Sequence, residues 1–374
     1  MSEEAPGAAR IVVLGASGYT GRLLAKALVR RGVRPVLAGR SVRRIRPLAD
    51  ELGGLETAPA DVTNPASVKA LVRKGDVLAT TVGPFARYGS VALEAAIGAG
   101  AHYVDSTGES GFVRSVFADA GPRAAASGSA LLTAFGYDFV PGNLAAALAL
   151  RQAGSAATQV STGYFLTGDG GGTAQMSSGT AATAAGSLTD PSHLFDGGRL
   201  VLLPTGRKVR VFSDRGTRRP GSLYGSTESL SLPRTFPQLS HVANYLGWFG
   251  KGSYALVPAS YAIGALRMPG IRTVMKRRAD KAAAVTGRGP EAAARAAQRS
   301  VAIAVACDST GRQLSSVRVE GPNAYDLTAA LMAWASIEVA AGRVEGRGAL
   351  GPVDAFGIDR LVEGCRDAGL VAAP

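Results

Sequence analysis

The chain has 374 residues, 46% hydrophobic and 18% charged, which suits a globular protein of roughly two domains at about 100–200 residues each. Its formal charge of +13 rests on 34 Arg and 7 Lys, with neither a Cys/His finger spacing nor an RNP-like aromatic strand, so no nucleic-acid partner is expected. Two cysteines without a CxxC argue against a disulfide framework or a zinc site, and a reducing cytoplasm is expected. The polar first ten residues hold no apolar signal core, and no window reaches the roughly 18 apolar residues of a spanning helix.

Strand and helix alternate through the first 135 residues. A short apolar run at 11–15 reads as a strand, and 19–31 carries Leu23, Leu24, Ala27 and Leu28 on one helical face. Strands are predicted at 35–38, 55–60, 76–82, 102–104 and 130–134. Helices are predicted at 42–52, 66–73, 91–99 and 112–126, the second of these opened by Asn64-Pro65. Six strands separated by helices predict an α/β fold with a doubly wound parallel sheet. Beyond about residue 150 the rhythm changes. A strand is predicted at 158–167, a hairpin at 200–211 around Thr205-Gly206, and another at 301–319 around Ser309–Gly311. That pattern predicts a second, α+β domain with an antiparallel sheet, and the chain returns to helix at 325–341 and 359–368. The expected division is an N-terminal Rossmann domain over 1–145, a substrate or dimerisation domain over 146–324, and C-terminal helices over 325–374 that pack back on the first domain.

The segment from Ile11 to Gly21 has the spacing GxxGxxG after an apolar strand and at the start of an amphipathic helix, the context in which a glycine motif signals a dinucleotide site. Gly15 permits the turn out of the strand. Gly18 lets backbone approach a pyrophosphate, and Gly21 allows close helix packing, with Ser17, Tyr19 and Thr20 completing the loop. An NAD site would end the second strand with Asp or Glu. Here it ends with Arg40 and Ser41, followed by Arg43 and Arg44, a set suited to a ribose 2′-phosphate, so NADPH/NADP is the expected cofactor. The alternative is a solvated basic helix start, which an anion would have to compensate. Asp61 and Val62 end the third strand, where a side chain can flank adenine, though Asp61 can equally be a helix cap. Val82, Gly83 and Pro84 end the fourth strand beside the switch point.

These motifs, with Tyr88-Gly89, Tyr103-Val-Asp105, Thr107-Gly-Glu109, Gly136-Tyr-Asp138 and Val140-Pro141, resemble the saccharopine dehydrogenase-like oxidoreductases, especially the branch containing trans-acting enoyl reductases. Ser178-Gly-Thr180 resembles a degenerate Ser-Gly-Gly-Thr segment of that family. Gly321-Pro-x-x-Tyr325-x-x-Thr328 and Ala368-Gly-Leu370 resemble its closing elements. The sequence departs from the pattern at Tyr137 (usually Phe), at Gly142-Asn143 (usually Ser-Asp) and at Gly351-Pro-Val-Asp354 (usually Thr-Pro-Ala). The resemblance implies an NADPH-binding Rossmann domain, an inserted substrate domain, and reduction of a C=C or C=N bond, with the substrate not carried over.

Hydride transfer needs a positioned nicotinamide and a proton source. Tyr88, Asp138 and Tyr137 are the candidate catalytic residues, with Tyr103, Asp105 and Glu109 behind them. Asp138 could also be a helix cap, Tyr103 core, and Glu109 a first-turn acid serving a helix dipole. The three histidines, His102, His193 and His241, show no metal spacing, and no metal is expected. The apolar stretches 245–249 and 254–268 precede Arg272, Lys276, Arg277, Arg278 and Lys281, and residues 272–299 carry eight basic and two acidic side chains. They read either as an acyl lid with a rim for an acidic acyl carrier protein or lipid surface, or as a helix or homodimer interface followed by a solvated basic face. The leading expectation is reduction of a conjugated C=C bond in an acyl or polyketide-type small molecule. Alternatives are an imine or amino-acid reductase, with Arg87 or Arg114 as carboxylate clamp, and a non-catalytic NADP sensor.

Overall fold

Apolar tetrapeptides build the first sheet. In a computed structural model, which describes residues 9–168, 190–265 and 289–373, β1 (Ile11–Leu14), β2 (Val36–Gly39) and β4 (Val77–Thr80) are buried along their whole length. Such strands fit only a sheet covered on both faces, which is why they read as continuous apolar runs without alternation. With β3 (Thr57–Pro59), β5 (His102–Asp105), β6 (Ala130–Leu132) and the two-residue β15 (Gly348–Ala349) they form a parallel sheet in the order β15-β6-β5-β4-β1-β2-β3. The order reverses between β1 and β4, and the crevice beyond the C-terminal ends of those two strands is where such sheets bind ligands. The connecting helices are α1 (Tyr19–Arg30), α2 (Val42–Glu51), α3 (Pro65–Lys69), α4 (Phe85–Ala99), α5 (Ser110–Ser115) and α6 (Gly121–Ser127). The single helix predicted over 112–126 is in fact α5 and α6 joined by a π-helical turn, Val116–Ala120. There Pro122 supplies no amide to the helical ladder.

Among the described residues the second sheet has nine strands. β7 (Gln159–Gly168), β13 (Gln298–Cys307) and β14 (Gln313–Pro322) are its long antiparallel centre. β12 (His241–Leu246) runs parallel to β7 on the other side, followed by β11 (Thr217–Tyr224) and β10 (Val209–Asp214). The predicted hairpin at 301–319 is the β13–β14 pair. The hairpin predicted at 200–211 is a misreading. β9 (Arg199–Leu203) pairs backward with β8 (Ser192–Asp196) across Gly197-Gly198, and β10 pairs forward with β11 across Arg215-Gly216. Thr205-Gly206 links two hairpins, and the left-handed glycines at 197, 198 and 216 make the real turns.

Four more helices fix the second sheet against the first: α7 (Val140–Ala153), α8 (Glu228–Thr235), α11 (Ala324–Ala340) and α12 (Pro352–Asp367). Two others, α9 (Ser253–Ala265) and α10 (Ala292–Ala296), flank it. Helix α11 is apolar on all sides because it lies between α1 and strands β4 and β5. Asn323 starts it by accepting from the amides of Tyr325 and Asp326. The C-terminal stretch gives β15 to the first sheet and β16 (Val371–Ala373), antiparallel to β14, to the second. Ser178–Thr180 and the basic residues 272–281 lie outside the described residues. Among the described residues no helix is long and apolar enough to cross a membrane.

Candidate functional site

The turn after β1 is built for backbone contact. Gly15 has φ +90°, and a Cβ there would stand 2.9 Å from both Thr81 Oγ1 and Val82 Cγ2, so neither the conformation nor the space admits a side chain. The Gly15 and Ala16 amides donate to Ala38 O (2.9 and 3.1 Å), tying the turn to β2. Gly18 caps α1 without a side-chain bond and stands exposed beside Ser17. At Gly21 a Cβ would collide with Gly15 O and come within 3.0 Å of Ala16 Cα. Gly21 therefore lets the helix pack on the turn itself, where close packing on the sheet was expected. The outcome is a helix N-terminus that opens on an exposed glycine concavity, which fits a pyrophosphate. Thr20 is half-buried in the first turn. The Tyr19 side chain turns elsewhere: its hydroxyl donates to Pro290 O (2.5 Å) and accepts from Arg295 Nη1 (2.9 Å), and its ring meets Tyr325 edge-on.

At the end of β2, Arg40 is exposed and Ser41 caps α2, whose first turn holds no acid. Cations at a helix N-terminus are unfavourable without an anion, so these residues fit a 2′-phosphate. Asp61 accepts from Thr63 N (2.9 Å) and Thr63 Oγ1 (2.8 Å). Those bonds, and then the charge of Arg40, hold its carboxyl below the usual range. Asp61 therefore shapes a local turn and caps no helix, the N-cap of α3 being Asn64, and the turn follows the Ala60–Gly39 bond between β3 and β2, with Val62 buried beneath.

Beyond β4, Val82, Gly83 and Pro84 are half-buried, and the Phe85 and Ala86 amides donate to the two carboxylate oxygens of Glu109 (2.7 and 2.8 Å). Glu109 therefore serves the N-terminus of α4, a neighbouring helix, and was expected to serve its own. Tyr88 rides on the first turn of α4, half-buried, with the Arg87 guanidinium 4.9 Å from its ring centre. Asp105 is buried and accepts from Thr107 N, Ala134 N and Thr133 Oγ1. Burial pushes it up to about 6, against those bonds. It joins the loops after β5 and β6, and Tyr103 is core.

Tyr137 and Asp138 follow β6. Tyr137 is buried beside Trp248, and burial, then the charge of Asp138, pushes its hydroxyl up. Asp138 is half-buried, its Oδ1 is buried without a partner among the described residues, and burial, then Glu228, pushes it up to about 7. Gly108 leaves it room, since a Cβ there would stand 2.9 Å from Asp138 Oδ2. No helix cap is made by this side chain. The second domain supplies what the sequence reading missed. Glu228 opens α8 fully buried and makes a short hydrogen bond with the Tyr164 hydroxyl from β7. Thr162 Oγ1 (3.3 Å) and Thr227 Oγ1 (3.4 Å) also donate to it. Tyr164 donates to Phe139 O (3.0 Å), the residue after Asp138, and accepts from Gly142 N (3.0 Å). One signal was available: between Arg219 and Arg234, Glu228 is the sole charged residue. Elsewhere the sequence-predicted residues lie along one edge of the sheet, with Asp138 three strands from the Gly15 turn, about 14 Å at ordinary strand spacing.

The histidines are structural. His193 is buried, with Nδ1 3.1 Å from Ser110 Oγ and Nε2 3.0 Å from Ser226 O. His102 Nδ1 accepts from Ala130 N, and His241 lies beside Asp196. Among the described residues no three His, Cys, Asp or Glu side chains gather as metal ligands.

Residues 11–131 match the family described as saccharopine dehydrogenase NADP binding domain. Over its length the chain is 30% identical to a protein of Mycobacterium tuberculosis named "Putative trans-acting enoyl reductase", with 96% of each covered. A trans-acting enoyl reductase of Mycobacterium ulcerans is 37% identical over 140 residues, 36% of this chain and 34% of that protein. Among solved structures, apo saccharopine dehydrogenase (L-Glu forming) from Saccharomyces cerevisiae superposes with a TM-score of 0.59 at 12% identity, covering 98% of this chain and 99% of that one, a likeness of fold.

Proposed function

The chain belongs to the saccharopine dehydrogenase NADP-binding family, and from that premise we propose that it is an NADPH-dependent reductase of a conjugated C=C bond in an acyl or polyketide-type small molecule. The observation that carries this reading is the similarity to a relative named an enoyl reductase, which runs through both domains and is not confined to the nucleotide-binding part. NADPH supplies the hydride when bound. The glycine turn and the N-terminus of α1 receive the pyrophosphate, and Arg40 with Ser41 receives the 2′-phosphate. Pro84 and Tyr88 wall the crevice past β4. Asp138 is the acid: half-buried at the same sheet edge and held protonated toward neutral pH by burial, it gives its Oδ proton to the carbon that does not take the hydride.

A saccharopine-type reading needs a cation waiting for a substrate carboxylate. Arg114 donates to Pro191 O (3.3 Å) and Arg87 lies on the Tyr88 ring, so both are engaged with the chain itself. Against an NADP sensor stands the Asp138 carboxyl, whose Oδ1 has no hydrogen-bond partner among the described residues at this edge. The acidic carrier protein remains part of the proposal as the vehicle of an acyl substrate.

The test is NADPH oxidation, followed by absorbance, with α,β-unsaturated acyl thioesters, enones and cyclic imines. Turnover of the unsaturated thioesters is expected. Turnover of imines alone, or NADPH binding with no turnover of any class, overturns the proposal.

A further inference from the structure

Two carboxyl groups from different domains meet behind the crevice. Asp138 follows β6 of the first sheet, and Glu228 opens α8 beside the second. The Tyr164 hydroxyl bonds to Glu228 Oε1 and to Phe139 O, the carbonyl of the residue after Asp138, and accepts from Gly142 N. We propose that Glu228 is a positioning residue for Asp138: through Tyr164 and the Phe139 carbonyl it takes up the negative charge of the pair and so keeps Asp138 in its acid form. The proposal rests on the reductase reading for the use made of that acid.

The hydrogen-bond accounting distinguishes the two carboxyls. Three hydroxyl donors, from Tyr164, Thr162 and Thr227, surround Glu228. Asp138 Oδ1 is buried without one among the described residues. A negative charge on Glu228 is hydrogen-bonded, and the same charge on Asp138 would sit partly on an oxygen with no donor. Tyr164 serves either state of Glu228. Its one proton can go to the Glu228 carboxylate, leaving Phe139 O to Asn143 Nδ2 (2.8 Å). It can also go to Phe139 O, with a proton on Glu228 completing the short bond. No buried group is orphaned by the change, so Glu228 can lose its proton cheaply and Asp138 cannot.

Among the described residues the titratable groups about the pair are Tyr137 on Asp138's own segment, Tyr164 from β7, Tyr224 from β11, whose hydroxyl donates to Gly108 O, and the two carboxyls themselves. Burial pushes both carboxyls up to about 7, and for Asp138 the charge of Glu228 adds to it. Two coupled acids share their titration, and the first proton lost makes the second harder to remove. The departure at Gly142-Asn143 belongs to the same device. A Cβ on Gly142 would collide with Tyr164 Oη and Glu228 Oε1. An acid at 143 would set a third carboxylate beside Thr227, whose hydroxyl accepts from Asn143 Nδ2 (2.9 Å). In the reaction, hydride reaches one alkene carbon and the electron pair of the double bond moves to the other. There the Asp138 O–H bond breaks and a C–H bond forms. The O–H electron pair stays on Asp138, which regains a proton from water once product leaves the crevice.

The experiment is Glu228→Gln, close in shape and without the charge, with Tyr164→Phe as a second variant. Two readouts are taken: the pH profile of kcat/KM for NADPH oxidation with an unsaturated thioester, and an infrared titration of the protonated-carboxyl stretch. In Glu228→Gln the alkaline limb should move down by about one pH unit, giving roughly tenfold lower kcat/KM above pH 8 and near-parental values at pH 6. The Asp138 band should move the same way. Tyr164→Phe should shift both in that direction. A limb and a band that stay put in Glu228→Gln overturn the pairing while leaving the reductase reading intact. A moved band in a protein that reduces no unsaturated thioester supports the pairing and removes the reductase reading.

Discussion

Glu109→Ala should loosen the start of α4, and its size can be worked from two bonds. The Glu109 carboxylate accepts from Phe85 N at 2.7 Å and Ala86 N at 2.8 Å, and the glutamate itself is 4% exposed. Hydrogen bonds to a charged group contribute about 1.5–3 kcal/mol each. The Phe85 amide is buried and loses its acceptor outright, whereas Ala86 is exposed and its amide can turn to water. A loss of about 3 kcal/mol follows, weighted to Phe85. At about 2.1 cal/mol/K per residue, unfolding 374 residues carries an entropy of roughly 0.8 kcal/mol/K, so the melting temperature should fall by about 4 °C. If the first domain melts separately, its own transition should fall further, because fewer residues share the entropy. Calorimetry or dye-based melting reads the shift. Glu109→Gln, which keeps one acceptor and turns an NH2 toward the other amide, should fall in between. A Glu109→Ala protein that melts within 1 °C of the parent would refute the capping account. Tyr88 rides on the same turn, since its amide donates to Pro84 O at 3.0 Å. A loosened start should therefore lower kcat more than it weakens NADPH binding.

Arg40→Ala should weaken NADPH about 10- to 100-fold in a fluorescence titration and NADH by at most a few-fold, matching the loss of one charge-assisted contact to a 2′-phosphate; equal losses would remove the reason for assigning NADP. Gly21→Ala should weaken both cofactors alike and destabilise the fold by roughly 1–3 kcal/mol, because the added carbon strikes Gly15 O and pries α1 from its turn; selective loss of one cofactor would contradict this. Burial holds His193 down at about 4, while an unfolded imidazole takes up its proton near 6.5. Stability should therefore fall by roughly 3 kcal/mol as pH drops through that window, fully lost below it. Asp105, Asp138 and Glu228 are raised acids and act in the opposite sense over the same range. The histidine contribution is therefore read as the difference between the parent and His193→Gln denaturation curves, and parallel curves would count against it.

The strand, turn and helix of the NADP-binding-family domain were legible because their signals are local. Gly15, Gly18, Gly21 and Arg40 sit within one strand-turn-helix-strand unit, where the geometry each residue needs leaves its mark in adjacent positions. Strand β15 was invisible because two residues carry no pattern, and Gly348 offers no side chain to mark it. The hairpin error has the opposite cause. Thr205-Gly206 is a good turn dipeptide, yet cross-strand pairing beyond its neighbourhood decides which strands it joins. Tyr164 and Glu228 were missed for a third reason. Tyr164 reads as one more large residue in an alternating strand, and Glu228 is an acid at a helix start like any other. Their function exists only where β7, α8 and the segment after β6 converge, and residues 64 positions apart leave no shared signature in a single sequence.

The division of the last residues between the two sheets bears on how the chain is made. Strands β1 to β6 are synthesised by Leu132, but β15, which covers the outer side of β6, follows only at Gly348–Ala349. At about 5–20 residues per second that is a wait of roughly 10–45 s. Through it the nascent first domain presents β6 as an open edge, a template for pairing with a neighbouring chain. The same holds for β14 until β16, at Val371–Ala373, has been made. Both sheets therefore take a strand from the segment 348–373, and a truncation that removed it would uncover β6 and β14 together.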